Sequence, residues 1–177
     1  MTEIVYYAAT SLDGFIAGPN GEVDWLNKYL ASGEDYDFEK FNASIQATLM
    51  GRRTYEKSLE LKGPLGRAMP CWVLSSQKLV SDIPNVTITS ATPAEVVDQM
   101  SVAGIKRAWL MGGGQLAASF LKAGLIHKFD LALTPDLLGG GIRLIQPVDV
   151  QQSLELVDSK VHPSGVVQLK YRKRETV

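Results

Sequence analysis

Cysteine and histidine are scarce in this chain. Cys71 is the only cysteine, which excludes a disulfide framework and a thiolate zinc site. His127 and His162 are the only histidines, so no metal centre is expected. No apolar run approaches the ~20 residues that cross a bilayer, and no membrane partner is expected. The chain passes straight into Glu3-Ile-Val-Tyr-Tyr-Ala with no basic-then-apolar leader, which leads us to expect a cytoplasmic protein. Net charge is −1, and apart from Lys170 to Arg174 the basic residues are scattered. That argues against nucleic acid as a partner. There is no internal repeat, linker or low-complexity segment. What is present is a 45% hydrophobic content in 177 residues, which supports a full core in one domain spanning 1–177.

The stretch from Arg107 to Leu121 organises the rest. Ala108 to Met111 reads as a buried strand, Gly112 to Gly114 as a turn, and Gln115 to Lys122 as a helix with Leu116, Phe120 and Leu121 on one face and Gly124 as its stop. Glycines admit an anion close to backbone N–H groups, and a helix start adds unpaired N–H groups and a favourable dipole. A tight turn with no ligand would use the same residues. The segment is neither a Gly-x-Gly-x-x-Gly fingerprint nor a nucleotide-hydrolysing P-loop.

In chain order, Ile4 to Thr10 predicts a central strand, apolar on both faces. The loop Ser11 to Gly21 carries Phe15 and Ile16 between turn residues and is a candidate lid. Helices are expected over Val23 to Leu30, with Trp25 and Leu26 inward, and over Asp35 to Gln46, where Phe38, Phe41 and Ile45 are spaced at three and four. Ala47 to Met50 is a strand. Met50-Gly-Arg-Arg-Thr-Tyr-Glu then makes a second strand-to-helix corner, with two arginines suited to phosphate oxygens.

Cys71 to Gln77 reads as a strand ending in hydroxyls. An NAD site of the doubly wound type places an acid at such a strand end for the ribose 2′-OH. Here the end is Ser75-Ser76-Gln77-Lys78, which suits a 2′-phosphate and hence NADPH. Val86 to Thr89 is a strand, and Pro93 to Val102 a helix with Thr92 as N-cap. Phe129 to Thr134 is a strand. Leu154 to Val161 and Val166 to Arg172 alternate as an antiparallel hairpin. The fold class is therefore α/β, a mostly parallel sheet closed by an antiparallel C-terminal strand.

These segments together resemble the dihydrofolate reductase superfamily, and more closely the branch of the riboflavin-pathway pyrimidine reductase domain and its stand-alone relatives. Ser11-Leu-Asp-Gly-Phe-Ile-Ala matches that branch's first loop. Met50-Gly-Arg-Arg-Thr-Tyr-Glu, Val73-Leu-Ser-Ser and Met111-Gly-Gly-Gly-Gln-Leu match cofactor segments, and Pro135-Asp-Leu-Leu-Gly-Gly-Gly-Ile-Arg-Leu matches a late motif.

The resemblance implies a dihydrofolate-reductase-like three-layer fold and an NADPH-dependent reductase of a small heterocyclic substrate, similar to 5-amino-6-(5-phosphoribosylamino)uracil reductase. Position by position it implies Gly51, Arg52, Arg53 and Thr54 at cofactor phosphates, and Leu74, Ser75 and Ser76 at the adenosine end. Gly112, Gly113, Gly114, Gln115 and Leu116 take the pyrophosphate, with Met111 beside them. Ala9, Ile16 and Gly18 flank the nicotinamide, and Asp13 lies on the substrate side. Tyr55-Glu-Lys-Ser-Leu-Glu departs from the riboflavin enzymes, and Asp35 and Asp37 both lie near the place of the folate enzymes' helix carboxylate.

Hydride transfer needs no protein nucleophile, in keeping with the scarcity of histidine and cysteine. A proton could come through Asp13, Asp35 or water. A carboxylate in a partly apolar pocket has its pKa raised and becomes a usable acid. A folate-type reductase and a non-catalytic NADPH-binding module are the competing readings. The apolar connection of Leu137, Leu138, Ile142, Leu144 and Ile145, with Leu154, Leu156, Val166 and Leu169 in the hairpin, suggests a homodimer, as does the resemblance.

Overall fold

The computed structural model describes residues 1–61 and 69–174. Strand β1 (Glu3–Thr10) leads to a short β2 (Phe15–Ala17), a 3-10 turn at Asp24–Leu26, and helices α1 (Asn27–Leu30) and α2 (Phe38–Ala43). Then come β3 (Ala47–Gly51), α3 (Arg52–Glu60), β4 (Cys71–Leu74), β5 (Val86–Thr89), α4 (Pro93–Val102), β6 (Arg107–Gly112) and α5 (Gly114–Lys122). The chain closes with β7 (Lys128–Leu133), β8 (Ile142–Arg143), β9 (Leu154–Val161) and β10 (Val167–Lys173).

The main sheet runs β5-β4-β3-β6-β1-β7-β10-β9. Its first six strands are parallel, and β10 is antiparallel to both β7 and β9. Alternation along each strand divides the core into two faces. Ile4, Tyr6, Ala47, Leu49, Ala108 and Leu110 pack with Val96 and Met100 of α4 and Phe120 of α5. On the opposite face Val5 and Trp109 meet Phe41 of α2, and Met50 and Val73 meet Tyr55 of α3. Helices therefore cover both faces of the sheet, which is the three-layer arrangement the sequence suggested. Fully burying one such side chain stabilises by roughly 1.5–3 kcal/mol.

Helix α4 begins where local chemistry dictates. Thr92 accepts from the Glu95 N–H, and the Glu95 carboxylate accepts from the Thr92 N–H, with Pro93 at the first helical position. Such a cap contributes about 0.5–2 kcal/mol.

Two expected helices are shorter than their patterns. Val23 to Leu30 divides into the 3-10 turn and α1, and Tyr29 is the residue it buries. The Asp35 to Gln46 stretch becomes helical only at Phe38, because Tyr36 and Asp37 sit at φ +52° and +57°. Left-handed residues cannot belong to the helix that follows.

Part of the Ser11 to Gly21 loop is strand. β2 pairs with β8, the Leu144 N–H donates to the Gly14 carbonyl, and the Leu12 N–H to that of Asp136. The candidate lid is thus zipped to the late glycine segment. Much of that segment's apolar character is spent internally, since Leu144, Ile145 and Leu154 pack on the core and Val166 is buried. Among the described residues no helix is long and apolar enough to cross a membrane.

Candidate active site

A cleft of about 1840 Å³ runs along the carboxyl ends of the parallel strands. Ligands of open α/β sheets bind at such ends. Two strand-to-helix corners meet there. Gly51 ends β3 and Gly113 follows β6, and each is the N-cap of a helix whose start has no side-chain cap and no acid in its first turn. The corners touch: a Cβ on Gly51 would lie 3.9 Å from Leu116 Cβ, and one on Gly113 would lie 3.6 Å from Thr54 Oγ1. Two helix starts without a side-chain cap among the described residues therefore share one mouth, in contrast to the capped α4.

Arginines flank this mouth. Arg52 pairs with Glu56 at 2.7 Å, one helical turn on. Arg53 is exposed and has no ion pair among the described residues. At the end of β4, the Ser75 hydroxyl donates to the Gln77 carbonyl and accepts from the Gln77 N–H, so the strand ends in a hydroxyl-bearing turn with no carboxylate.

Most of the residues singled out from sequence line this one cleft: Ala9 and Ile16, Gly51 to Thr54, Leu74 to Ser76, Met111, Gly113 to Leu116, and Asp35. Asp13, Gly18 and Gly112 do not. Gly112 instead makes the turn, at φ +117°, a conformation side chains rarely adopt. Gly114 is required by packing, because a Cβ there would lie 2.0 Å from the Arg143 carbonyl oxygen.

Asp13 lies outside the cleft lining and is tied into the loops around it. Its carboxylate accepts from the Ser11 hydroxyl at 2.6 Å, the Leu138 N–H at 3.1 Å and the Gly139 N–H at 2.7 Å. The Ser11 hydroxyl, followed by those two N–H groups, stabilises the charged form and holds the carboxyl below the usual aspartate range. Asp13 is a brace between the first loop and the late glycine segment. Asp35 is exposed at the cleft and accepts from the Glu39 N–H.

The wall toward β7 and β10 was not evident from the sequence. Tyr7, Tyr36, Phe38, Trp109, Ala132 and Val166 line it, with Glu34, Asp35 and Thr134. Tyr7 stacks on Phe41 at 4.3 Å and meets Trp109 edge-on at 5.9 Å. Burial, reinforced by Asp130, Asp35 and Asp37, pushes the Tyr7 phenol well above its usual range, so it stays a neutral hydroxyl. These residues come from distant segments and share no local motif. Only the helical spacing of Phe38 and Phe41 hinted at them.

A family model, the RibD C-terminal domain, matches residues 2–168. The chain belongs to this family. It is 31% identical to the Bacillus subtilis protein YyaP, itself uncharacterized, over 95% of this chain and 93% of that one. A solved structure from Shewanella sp. PV-4, provisionally named as a riboflavin biosynthesis protein, has a TM-score of 0.88 at 26% identity and covers 99% of this chain and 100% of that one. The Thermotoga maritima diaminohydroxyphosphoribosylaminopyrimidine deaminase/5-amino-6-(5-phosphoribosylamino)uracil reductase gives a TM-score of 0.74 at 14% identity. That likeness is one of fold, and it covers 98% of this chain and 57% of the Thermotoga one. The three-layer dihydrofolate-reductase-like fold is common to these structures.

Proposed function

We propose that the protein is an NADPH-dependent reductase of a small planar nitrogen heterocycle, of the pyrimidine reductase type. The observation that carries this reading is the pair of uncapped helix starts meeting across Gly113 and Thr54, with Arg53 beside them. This region fits a dinucleotide. Two helix N-termini and a guanidinium without an acidic partner among the described residues suit phosphates. The bare Gly113 leaves backbone N–H groups approachable, and the Ser75–Gln77 turn presents hydroxyls and no carboxylate where a 2′-phosphate would lie.

When bound, NADPH supplies a hydride to the carbon of a C=N or C=O group, and a proton completes the reduction. The chain itself does three things. Ala9 and Ile16 line the cleft and give the transfer an apolar border. Tyr7 and its aromatic neighbours offer a flat apolar wall that orients a ring. Asp35 is the carboxylate we assign to a substrate N–H or to the exchanged proton.

Titration tests the cofactor. NADPH should bind at least ~10-fold tighter than NADH, since a charge-assisted contact to the extra phosphate contributes ~1.5–3 kcal/mol. Arg53→Ala should remove most of that preference. Equal affinity for the two cofactors overturns the assignment. NADPH binding without turnover on any heterocycle of a broad panel favours a non-catalytic binding module.

A further inference from the structure

His162 and Asp130 are buried titratable groups that the proposed reaction leaves unused. His162 stands in the turn between β9 and β10, where its N–H donates to the Val166 carbonyl and its carbonyl accepts from the Gly165 N–H. Its ring belongs to a row of polar groups that runs from the sheet to the cleft. On β7 the Asp130 carboxylate accepts from the Gln168 amide at 3.0 Å. That contact turns the Gln168 carbonyl oxygen toward His162 Nε2, at 3.4 Å. A carbonyl accepts only, so Nε2 is the nitrogen that carries the proton in the neutral ring. Nδ1 then faces the Glu34 carboxylate at 3.9 Å. Glu34 lines the cleft beside Asp35 and Tyr36.

Both ring nitrogens therefore look at acceptors. The neutral ring offers Glu34 a lone pair, and the imidazolium offers it an N–H and a positive charge. Other ionisable groups pack about this row. Tyr7 of β1 and Lys170 of β10 stand opposite Asp130, and Lys160 of β9 stands opposite Gln168. Lys160 and Lys170 reach the Asp37 carboxylate at 3.0 and 3.3 Å, and Lys170 lies 3.8 Å from Asp158. Burial pushes the Asp130 carboxyl above the usual aspartate range, against the pull of Gln168 and Lys170. The Tyr36 ring meets His162 edge-on at 4.9 Å. The loop needs such a hold, because Tyr36 and Asp37 are left-handed, a backbone that non-glycine residues keep only where their surroundings impose it. Ser164 supplies one part. Its N–H and hydroxyl donate to Glu34 at 3.3 and 2.8 Å, and it accepts from the Tyr36 hydroxyl at 3.1 Å. Those donors are neutral and act at every pH, whereas the part supplied by His162 depends on one proton.

Resting on the reading of Asp35 as the carboxylate that meets the substrate, we infer that His162 is a positioning residue for it. The protonated ring draws in Glu34 and fixes the loop that presents Asp35 at the cleft, and loss of the proton loosens that loop. Gln168, itself oriented by Asp130, keeps the ring turned so that Nδ1 and not Nε2 faces Glu34. The row thus sets where Asp35 stands without touching substrate or cofactor.

Nuclear magnetic resonance on the full chain, with no cofactor added, tests this. His127 and His162 are the only histidines, so His127→Asn identifies the His162 ring signal. Between about pH 5 and 8, where histidines change charge, the backbone amide signals of Glu34, Asp35 and Tyr36 should move with the same midpoint as that ring. The movement should be lost in His162→Gln. It should be lost also in Glu34→Gln, a change at the cleft that leaves the His162 ring free to titrate on its own. A ring that does not titrate in this range, loop amides that do not follow it, or loop amides that keep titrating in His162→Gln overturn the inference. Turnover is read separately, with 5-amino-6-(5-phosphoribosylamino)uracil, the compound in the name of the Thermotoga reductase, as the probe. Its KM should be lower in the wild type than in His162→Gln at about pH 6 and the two should converge at about pH 8, with kcat alike throughout. A KM that differs equally at both values makes His162 merely structural and overturns the inference. Absence of turnover removes the reductase reading and leaves the response of the loop to His162 standing.

Discussion

Thr54 Oγ1 lies 3.6 Å from where a Cβ on Gly113 would sit, across the mouth shared by two helix starts. Gly113 is extended, at φ −87° and ψ −169°, a conformation any residue adopts. A methyl group there makes an ordinary contact and no clash. Gly113→Ala should therefore keep the wild-type melting temperature while weakening NADPH binding by roughly 10-fold, with Gly113→Val weaker still, because the side chain takes ligand space. Gly114→Ala should do the reverse of this in its first effect. Its Cβ would stand 2.0 Å from the Arg143 carbonyl oxygen, so backbone must move. Overpacking of this kind costs about 1–3 kcal/mol, and each kcal/mol lowers the melting temperature by about 2–4 °C at this size. Melting curves and NADPH titrations on the two variants check both halves.

Asp13 and Asp35 should separate in kinetics. Asp13 is tied to Ser11, Leu138 and Gly139, and those contacts hold it ionised at neutral pH. Asp13→Asn should disturb the union of the first loop with the late glycine segment and leave the pH profile of turnover unchanged. Asp35→Asn should alter that profile or raise the KM for substrate. A pH profile that moves only in Asp13→Asn would restore Asp13 to the chemistry.

How much of this was legible in the sequence depends on how local each cause is. Val86–Thr89 and Pro93–Val102 have the bounds their residues suggested, because Thr92, Pro93 and Glu95 fix the helix start within four positions. The cofactor-side segments were legible for the same reason, as each corner is one contiguous motif. The start of α2 was not. Tyr36 and Asp37 are held left-handed within a loop tied to Lys160, Ser164 and Lys170, more than 120 residues away in sequence. The acidic first turn looked like a helix start, and those distant partners overrode it. The aromatic wall was hidden likewise, since Tyr7, Tyr36, Ala132 and Val166 meet only once the sheet order is known. Gly114 was read as a phosphate glycine, yet what demands it is a backbone carbonyl of β8.

His127 gives the stability a defined pH dependence. Its Nδ1 accepts from the Ile4 N–H at 3.0 Å, which requires the neutral ring at that atom. Burial, with Lys173 pushing the same way, holds its pKa below the ordinary histidine value. The unfolded chain then binds a proton that the folded imidazole refuses. The contribution is complete above the unfolded value of about 6.5 and is lost as pH falls from there toward the folded value. The melting temperature should drop as pH is lowered through that window. His127→Asn, which keeps an acceptor for Ile4 and cannot titrate, should flatten the slope. An unchanged slope in the variant would assign the dependence to another group.

We propose, finally, that two copies pair through the face of β9. The connection that first suggested a dimer is mostly spent inside, with Leu144, Ile145 and Leu154 on the core and Val166 buried. Of those residues Leu137 and Leu156 stay exposed, at 72% and 52%, and Leu156 is joined on β9 by Val157 and Val161, at 59% and 75%. β9 is the last strand of the sheet and has β10 as its one neighbour. Its open edge is partly blunted: the pairing slips beside Val157, and Glu155, Asp158 and Lys160 interrupt the apolar run. Apolar side chains are then the stronger motive for association than free backbone groups, and a two-fold pair is the commonest way to cover such a patch. Light scattering should return twice the chain mass of 19.3 kDa at micromolar concentration. Leu156→Glu with Val161→Glu should halve it without lowering NADPH affinity, because neither residue lines the cleft. A wild-type mass of one chain sinks the dimer, and a double variant that stays paired moves the interface to another face.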